Sequence, residues 1–220
     1  MRELCGEPLL THAVRSLLAS GRIDRLVVAA PAGREDEVRS LLATIAPVAE
    51  VVTRVVTGAD TRRASVAAGL AALAPDVDVV LVHDAARPLV PASMVTRVVD
   101  AVLAGAPAVV PVLPVTDTIK RVDGDIVVET VDRASLRAVQ TPQAFQRQAL
   151  ERAHAQTTTD ATDDATMVEE IGLPVHVVQG NDEALKITRP LDLAQAEAIL
   201  RARRSPVPSR DASRMRPPPP

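Results

Sequence analysis

Four short stretches of this chain concentrate side chains that handle phosphate. The first is Val77–Val90, an apolar run that ends abruptly in His83, Asp84, Ala85, Ala86, Arg87 and Pro88. Its apolar half reads as a parallel strand buried on both faces, and a carboxylate and a guanidinium at its C-terminal end sit where open α/β sheets bind ligands. The second is Gly58–Gly69 (GADTRRASVAAG), where a Gly turn, Asp60, Arg62 and Ser65 at a helix start would bring backbone N–H groups and a guanidinium to an anion. The third is Pro114–Lys120 with Thr118, followed by Arg133 and Thr141-Pro142-Gln143; the fourth is Gly180–Arg189, with Lys186 in a β-prone run. Each stretch alone has an ordinary structural reading: a strand-end cap for Asp84 with Arg87 solvated, a capped helix with Asp60 as N-cap. Together they offer Arg62, Arg87, Lys120, Arg133 and Lys186 as cations and Asp84 as a Mg²⁺ ligand.

Other chemistries have less to build on. The single cysteine, Cys5, excludes an internal disulfide framework and fits a reducing cytoplasm. His12, His83, His154 and His176 are scattered, so neither a zinc site nor a nucleophile triad can be drawn from them. A net charge of −3 and the lack of Trp and Tyr argue against nucleic acid or an anionic membrane as partner. With no signal peptide and no long apolar run, a soluble intracellular protein is expected.

The elements that must position these residues alternate. Strands are expected at Ile23–Ala30, Val48–Val56, from Val77, and at Pro107–Leu113. Helices are expected from Pro8 to Gly21 and at Arg34–Ile45, Thr61–Leu73 and Pro91–Leu103. This pattern predicts an α/β fold, a mostly parallel three-layer Rossmann-like sheet covered by helices on both faces. Thr118–Val131 breaks the alternation as two β-prone runs joined at Asp123-Gly124, a hairpin signal. Its alternating polarity gives it too little apolar surface to stand alone, so it should pack on something, plausibly a second subunit. Further on, Leu136–Gln140, Val175–Gln179 and Ala184–Ile187 read as strands; Gln146–Gln156, Ala165–Ile171 and Pro190–Arg204 read as helices. The domain is expected over 1–204, with an arm at about 115–135 and a Pro-rich disordered tail at 205–220.

GADTRRASVAAGL, LVHDAARPLV, PVTDTIKRV, TVDRASLRAVQTPQAF, TDDATMVE and GNDEALKITRPLDLAQAE follow one another in the order and spacing of a known family. The chain resembles the 2-C-methyl-D-erythritol 4-phosphate cytidylyltransferases, and HDAARP and TPQ-x-F are also close to the ribitol-5-phosphate cytidylyltransferases. The resemblance implies a nucleotidyltransferase fold, dimerised through the β-arm. It implies CTP as co-substrate, with a sugar-alcohol phosphate attacking its α-phosphorus and pyrophosphate leaving, in isoprenoid precursor synthesis. By the same match Asp60, Arg62, Ser65, Asp84 and Ala85 face CTP, and Asp84 holds Mg²⁺. Arg87, Thr118, Arg133, Thr141 and Lys186 hold the sugar phosphate, Arg133 and Lys186 being catalytic and Thr118 and Arg133 coming from the partner's arm. Two departures stand out. Ala59 occupies a position where the family more often has a second Gly. The family's opening strand, Gly-rich Arg-containing loop and Pro-Lys pair have no counterpart before RELCGEPLL, so the 220-residue chain is expected to be truncated and inactive as it stands. A non-catalytic dimeric binding protein that has lost its CTP loop is the alternative from another class.

Overall fold

A computed structural model describes residues 1–45, 51–157 and 163–204. The expected tail at 205–220 and the start of the strand expected from Val48 lie outside them. The chain begins with a small antiparallel pair, β1 (Glu3–Leu4) and β2 (Glu7–Pro8), and Pro8 then caps α1 (Leu9–Leu18) rather than opening its first turn. β3 (Arg25–Ala30), α2 (Glu35–Ala43) and β4 (Val52–Thr57) form a parallel β-α-β unit. The acidic first turn of α2, Glu35-Asp36-Glu37, complements the positive end of its dipole. α3 (Arg62–Ala71) follows, capped by Thr61, whose Oγ1 accepts from the Ala64 N–H at 3.1 Å. The cap is therefore Thr61 and not Asp60, because only the residue immediately before the first helical turn can reach that N–H.

The main sheet is assembled around β5 (Val79–Val82), β6 (Ala108–Pro114), β10 (Gln143–Gln146) and β11 (Val175–Gln179), in the order β11-β6-β10-β5. β11 and β6 are parallel, whereas β10 runs antiparallel to both its neighbours, and β9 (Arg137–Val139) continues antiparallel along β6. β10 was not anticipated as a strand. It is four residues long, with Gln at both ends, and its strand character comes from the neighbours that bury Ala144 and Phe145 completely. Phe145, the single aromatic residue, sits in the largest core cluster with Leu150, Met167 and Val168.

Helices cover both faces, as the alternation predicts. α4 (Ala92–Leu103) packs Val98 and Val102 on one face against Val109 and Ala144. α5 (Arg147–Gln156) and α6 (Asp164–Glu170) pack Leu150, Ala153, Met167 and Val168 on the other against Val80, Val110 and Phe145. α7 (Pro190–Arg204) closes over Leu4, Leu9 and Leu89 through Ala196 and partly buried Leu193, Ile199 and Leu200.

Between β6 and β9 the chain makes the expected hairpin, β7 (Ile119–Asp123) and β8 (Ile126–Val131). Gly124, at φ 59°, occupies the left-handed region that a two-residue hairpin turn requires. Val122, Ile126, Val127 and Val128 are all more than half exposed on it. The segment Ala184–Ile187 is not a strand. Asn181 caps a short 3-10 turn at Asp182–Ala184 by accepting from the Glu183 N–H at 2.8 Å. The residues beyond it are held by one backbone bond, Ile187 N–H to Ala86 O at 2.8 Å, with no strand edge to extend along. Gly180, just before the turn, passes so close to Gln140 Oε1 and Val112 O that a Cβ would overlap the first and lie 2.9 Å from the second. A glycine is therefore required there.

The β3–β4 pair does not join the main sheet. Among the described residues, no strand lies between β3 and β5, and a cleft of ≈ 890 Å³ separates them.

Candidate functional site

One end of that cleft is lined by Arg62, Ser65, His83, Asp84 and Ala85, from the first two predicted clusters, and Thr141 and Lys186 from the other two reach Asp84. Asp84 lies two residues past the end of β5 and is the hub. Its Oδ2 is 2.8 Å from Lys186 Nζ and its Oδ1 is 3.5 Å from Arg62 Nε. Partial burial pushes the Asp84 carboxyl up, but Lys186, Arg62 and Arg87 outweigh it and hold the group below the usual carboxylate range. Arg62 Nη1 also reaches Asp164 Oδ2 at 2.6 Å, and the fully buried Asp164 accepts from His154 Nε2 at 3.0 Å. Burial works against the Arg62 charge, yet Asp164 and Asp84 together raise its pKa.

Thr141 belongs to the same constellation through a chain of hydrogen bonds whose direction can be worked out. His83 Nε2 faces Arg87 O at 3.0 Å, and a carbonyl can only accept, so Nε2 carries the ring proton. Nδ1 then accepts from the Thr141 hydroxyl at 3.0 Å, and the same Thr141 oxygen accepts the Asp84 backbone N–H at 3.1 Å. The imidazole is neutral, because burial pushes its pKa down from 6.5 to about 4, against smaller opposing pulls from Arg87 O and Asp84. A depressed histidine stabilises the fold fully above its unfolded value of 6.5 and loses that contribution as pH falls toward about 4. The loss is at most about 3 kcal/mol. Urea midpoints at pH 7 and pH 4.5 are therefore expected to differ less in His83→Gln than in the parent; equal differences would refute the assignment.

Arg87, expected from the resemblance to hold the sugar phosphate, also makes hydrogen bonds within the fold. Its Nη1 donates to Ala184 O at 2.7 Å and its Nη2 to Val139 O at 3.3 Å, while Nε is buried without a partner. It thus ties the end of β9 to the 3-10 turn and keeps only part of its fork for a ligand. Burial lowers its pKa, and Asp84 opposes that shift. Ser65 likewise spends its hydroxyl on its own turn, accepting from the Ala59 N–H at 2.9 Å and donating to Thr61 O at 2.9 Å. Ala59 has no positive φ, so replacing a glycine there costs no backbone strain. Ala85 is exposed on the cleft lining, and Asp60 is exposed ahead of α3.

Thr118 and Arg133 are not brought to this cluster within the chain. Thr118 is exposed at the root of the arm, and Arg133, in a 3-10 turn at Arg133–Ser135, donates locally to Thr116 O. Lys120, on β7, is bonded to Thr130 Oγ1 at 2.5 Å.

The arrangement suits anion handling: one ionised carboxylate set among three cations at a strand end. The described residues contain no group of three or more His, Cys, Asp or Glu side chains able to hold a metal.

A family profile described as 2-C-methyl-D-erythritol 4-phosphate cytidylyltransferase matches residues 1–202. The chain belongs to that family. A Streptomyces coelicolor cytidylyltransferase of this name is 53% identical over 211 residues, which cover 93% of this chain and 78% of that protein. One from Nocardia farcinica is 52% identical over 196 residues, covering 89% and 82%. Among solved structures, the Thermus thermophilus 2-C-methyl-D-erythritol 4-phosphate cytidylyltransferase superposes with a TM-score of 0.74 at 38% identity, covering 90% of this chain and 91% of that one. A 4-diphosphocytidyl-2C-methyl-D-erythritol synthase from Anaerococcus prevotii reaches 0.81 at 28% identity, with the same coverage. The cytidylyltransferase fold anticipated from the motif order is thus the fold found.

The sequence reading assigned no site role to several residues that support it. Asp164 and His154 buttress Arg62 from α6 and α5, and His83 orients Thr141. Gln143 is 1% exposed and donates to Asp163 Oδ2 at 2.7 Å while accepting from the Ala165 N–H at 3.3 Å, which fixes the start of α6. The one available signal was the TDDATMVE motif itself, since an Asp pair before an apolar helix marks a capped N-terminus.

Proposed function

We propose that this protein is a nucleotidyltransferase that joins CTP and 2-C-methyl-D-erythritol 4-phosphate, releasing pyrophosphate, in isoprenoid precursor synthesis in the cytoplasm. The observation that carries the reading is Asp84 held between Lys186 and Arg62 at the C-terminal end of β5. Family membership and the names of the relatives support the choice of substrates.

The reaction brings two polyanions together, and fixed positive charge must cancel their repulsion before a phosphate oxygen can attack the α-phosphorus. Lys186 is 46% exposed in its side chain, so its ammonium can exchange Asp84 for an incoming phosphate. Arg62 is anchored from behind by Asp164 and keeps its charge aimed at the cleft end without reorganising. Thr141 offers its hydroxyl oxygen already oriented by His83. The nucleophile is an ionised phosphate oxygen, so no strong general base is needed.

A Mg²⁺ ion fits this donor set only as a ligand of one protein carboxylate. Asp84 is an ionised, hard oxygen ligand, and phosphate oxygens and water would supply the remaining ligands. Bound there, the metal would neutralise the charge developing on the phosphates. The CTP-wrapping Gly-rich loop implied by the family resemblance is part of the same proposal.

Isothermal titration separates the substrate alternatives. Methylerythritol phosphate is expected to bind more tightly than ribitol 5-phosphate, and the reverse order would contradict the assignment.

Dimerisation through the arm belongs to the proposal as well, with Thr118 and Arg133 then supplied to the neighbour's site. The exposed valines and isoleucine of β7 and β8 support it, because a two-stranded ribbon with a bare apolar face is not stable alone. Placing a charge on that face by Val127→Asp is expected to convert a dimer to a monomer in sedimentation velocity. An unchanged sedimentation coefficient would argue against the arm as interface.

A further inference from the structure

We propose that Gln140 is the positioning residue for Lys186: its buried side-chain amide braces the turn that leads to the lysine and so holds the ammonium against Asp84. The inference rests on the reading of Lys186 as the cation that meets an incoming phosphate. Lys186 needs such a brace more than its neighbours in the cluster do. Arg62 stands in α3 and Asp84 closely follows β5, whereas Lys186 lies in no helix or strand. Ala184 and Ile187, on either side of it, are buried, but apolar burial is non-directional and does not orient peptide groups. Hydrogen bonds must do so.

Gln140 supplies them. It is 4% exposed, and its Oε1 accepts from the Asn181 N–H at 3.0 Å while its Nε2 donates to Asn181 O at 2.9 Å. The amide pairs with one backbone residue through both of its ends, as a neighbouring strand would. The donor and acceptor of Asn181 leave it a single orientation. Gly180 is needed beside it because a Cβ there would overlap Gln140 Oε1. From Asn181 the constraint passes to the lysine in short steps. Asn181 O also accepts from the Ala184 N–H at 3.0 Å, Ala184 O accepts from Arg87 Nη1 at 2.7 Å, and the Ile187 N–H donates to Ala86 O at 2.8 Å. Lys186 Nζ then sits 2.8 Å from Asp84 Oδ2.

The residues on either side of Gln140 hold the rest of the cluster. Val139 O accepts from Arg87 Nη2 at 3.3 Å, and Thr141 Oγ1 accepts from the Asp84 N–H at 3.1 Å. Three consecutive residues thus fix Arg87, the turn before Lys186 and Asp84 relative to one another. Gln140 reaches its partner through a side-chain amide, so an isosteric substitution there disturbs the lysine's part of the brace and leaves the backbone path intact. Displacing a reacting group by about 1 Å costs on the order of a hundredfold in rate, so a loosened turn is expected to be felt in turnover.

The test uses the 220-residue chain and two substitutions. Gln140→Leu removes both bonds, and Gln140→Glu keeps the volume but sets a carboxylate oxygen against Asn181 O. Lys120 and Lys186 are the only lysines, so ¹³C placed at lysine Cε gives two NMR signals. Lys186→Ala assigns them, and Asp84→Asn shows where the Lys186 signal lies without its carboxylate partner. In both Gln140 variants the Lys186 signal is expected to move toward that position while Lys120 stays. Amide exchange at Ala184 and Ile187 is expected to quicken about tenfold, with Val175–Gln179 unchanged. Where turnover of CTP with methylerythritol phosphate is followed, Gln140→Leu is expected to lower kcat about tenfold alone and to add nothing to Lys186→Ala. An unmoved Lys186 signal would overturn the proposal. So would parent-like exchange in Gln140→Glu, exchange quickened throughout Val175–Gln179, or additive losses of kcat in the double variant. A parent chain without turnover would count against the substrate reading, and the lysine signal would still decide this one.

Discussion

Replacing Arg62 by methionine is expected to lower the free energy of unfolding by about 3 kcal/mol, the cost of stranding a buried charge. Asp164 is fully buried, and its two carboxylate oxygens are shared between Arg62 and His154. Methionine preserves much of the packing of the arginine stem but leaves the carboxylate with a histidine that is charged only if protonated. The double variant Arg62→Met with Asp164→Asn should recover part of the stability, because the buried group is then neutral. Urea denaturation of the four proteins measures the coupling. Strict additivity would show that Arg62 and Asp164 are neighbours without an energetic bond, and the site's rear support would have to lie elsewhere.

Replacing Lys186 by alanine is expected to lower kcat about a hundred- to a thousandfold, the usual consequence of deleting one preorganised electrostatic donor. Stability should change little, because the side chain is nearly half exposed and an exposed ion pair contributes about 1 kcal/mol or less. Asp84, relieved of its first partner, keeps Arg62 and Arg87 nearby and should remain ionised at neutral pH. Activity loss with an unchanged urea midpoint would separate this residue from Arg62, whose loss affects both. Retention of full turnover in Lys186→Ala would remove the lysine from the catalytic group. Lys186→Arg is not expected to rescue fully, since a planar fork cannot occupy the position of a compact ammonium.

What the sequence makes legible here follows the range over which each signal acts. Asp84 and Arg87 announce themselves because the apolar run before them can only be a buried strand, and its end is where ligands bind in such sheets. The hairpin is equally local: Gly124 supplies the positive φ its turn needs. The Arg62–Asp164 pair spans 102 positions, and nothing in either local pattern announces the other. β10 is hidden for a related reason, since Gln143–Gln146 becomes a strand only because β5 and β6 offer it an edge on each side. Lys186 lies in residues with β propensity but no edge to pair with, so propensity misleads there and one backbone bond from Ile187 decides the conformation. Arg87 stands out by its charge in sequence, but its hydrogen bonds to Val139 O and Ala184 O join segments far apart along the chain and have no local signal.

The most direct test of the functional account is pyrophosphate release from CTP and Mg²⁺ with methylerythritol phosphate. It should be followed with methylerythritol phosphate and with ribitol 5-phosphate as acceptor. One pyrophosphate per methylerythritol phosphate consumed is the predicted result. No release with either acceptor would contradict cytidylyl transfer and leave the Asp84 cluster as a binding site.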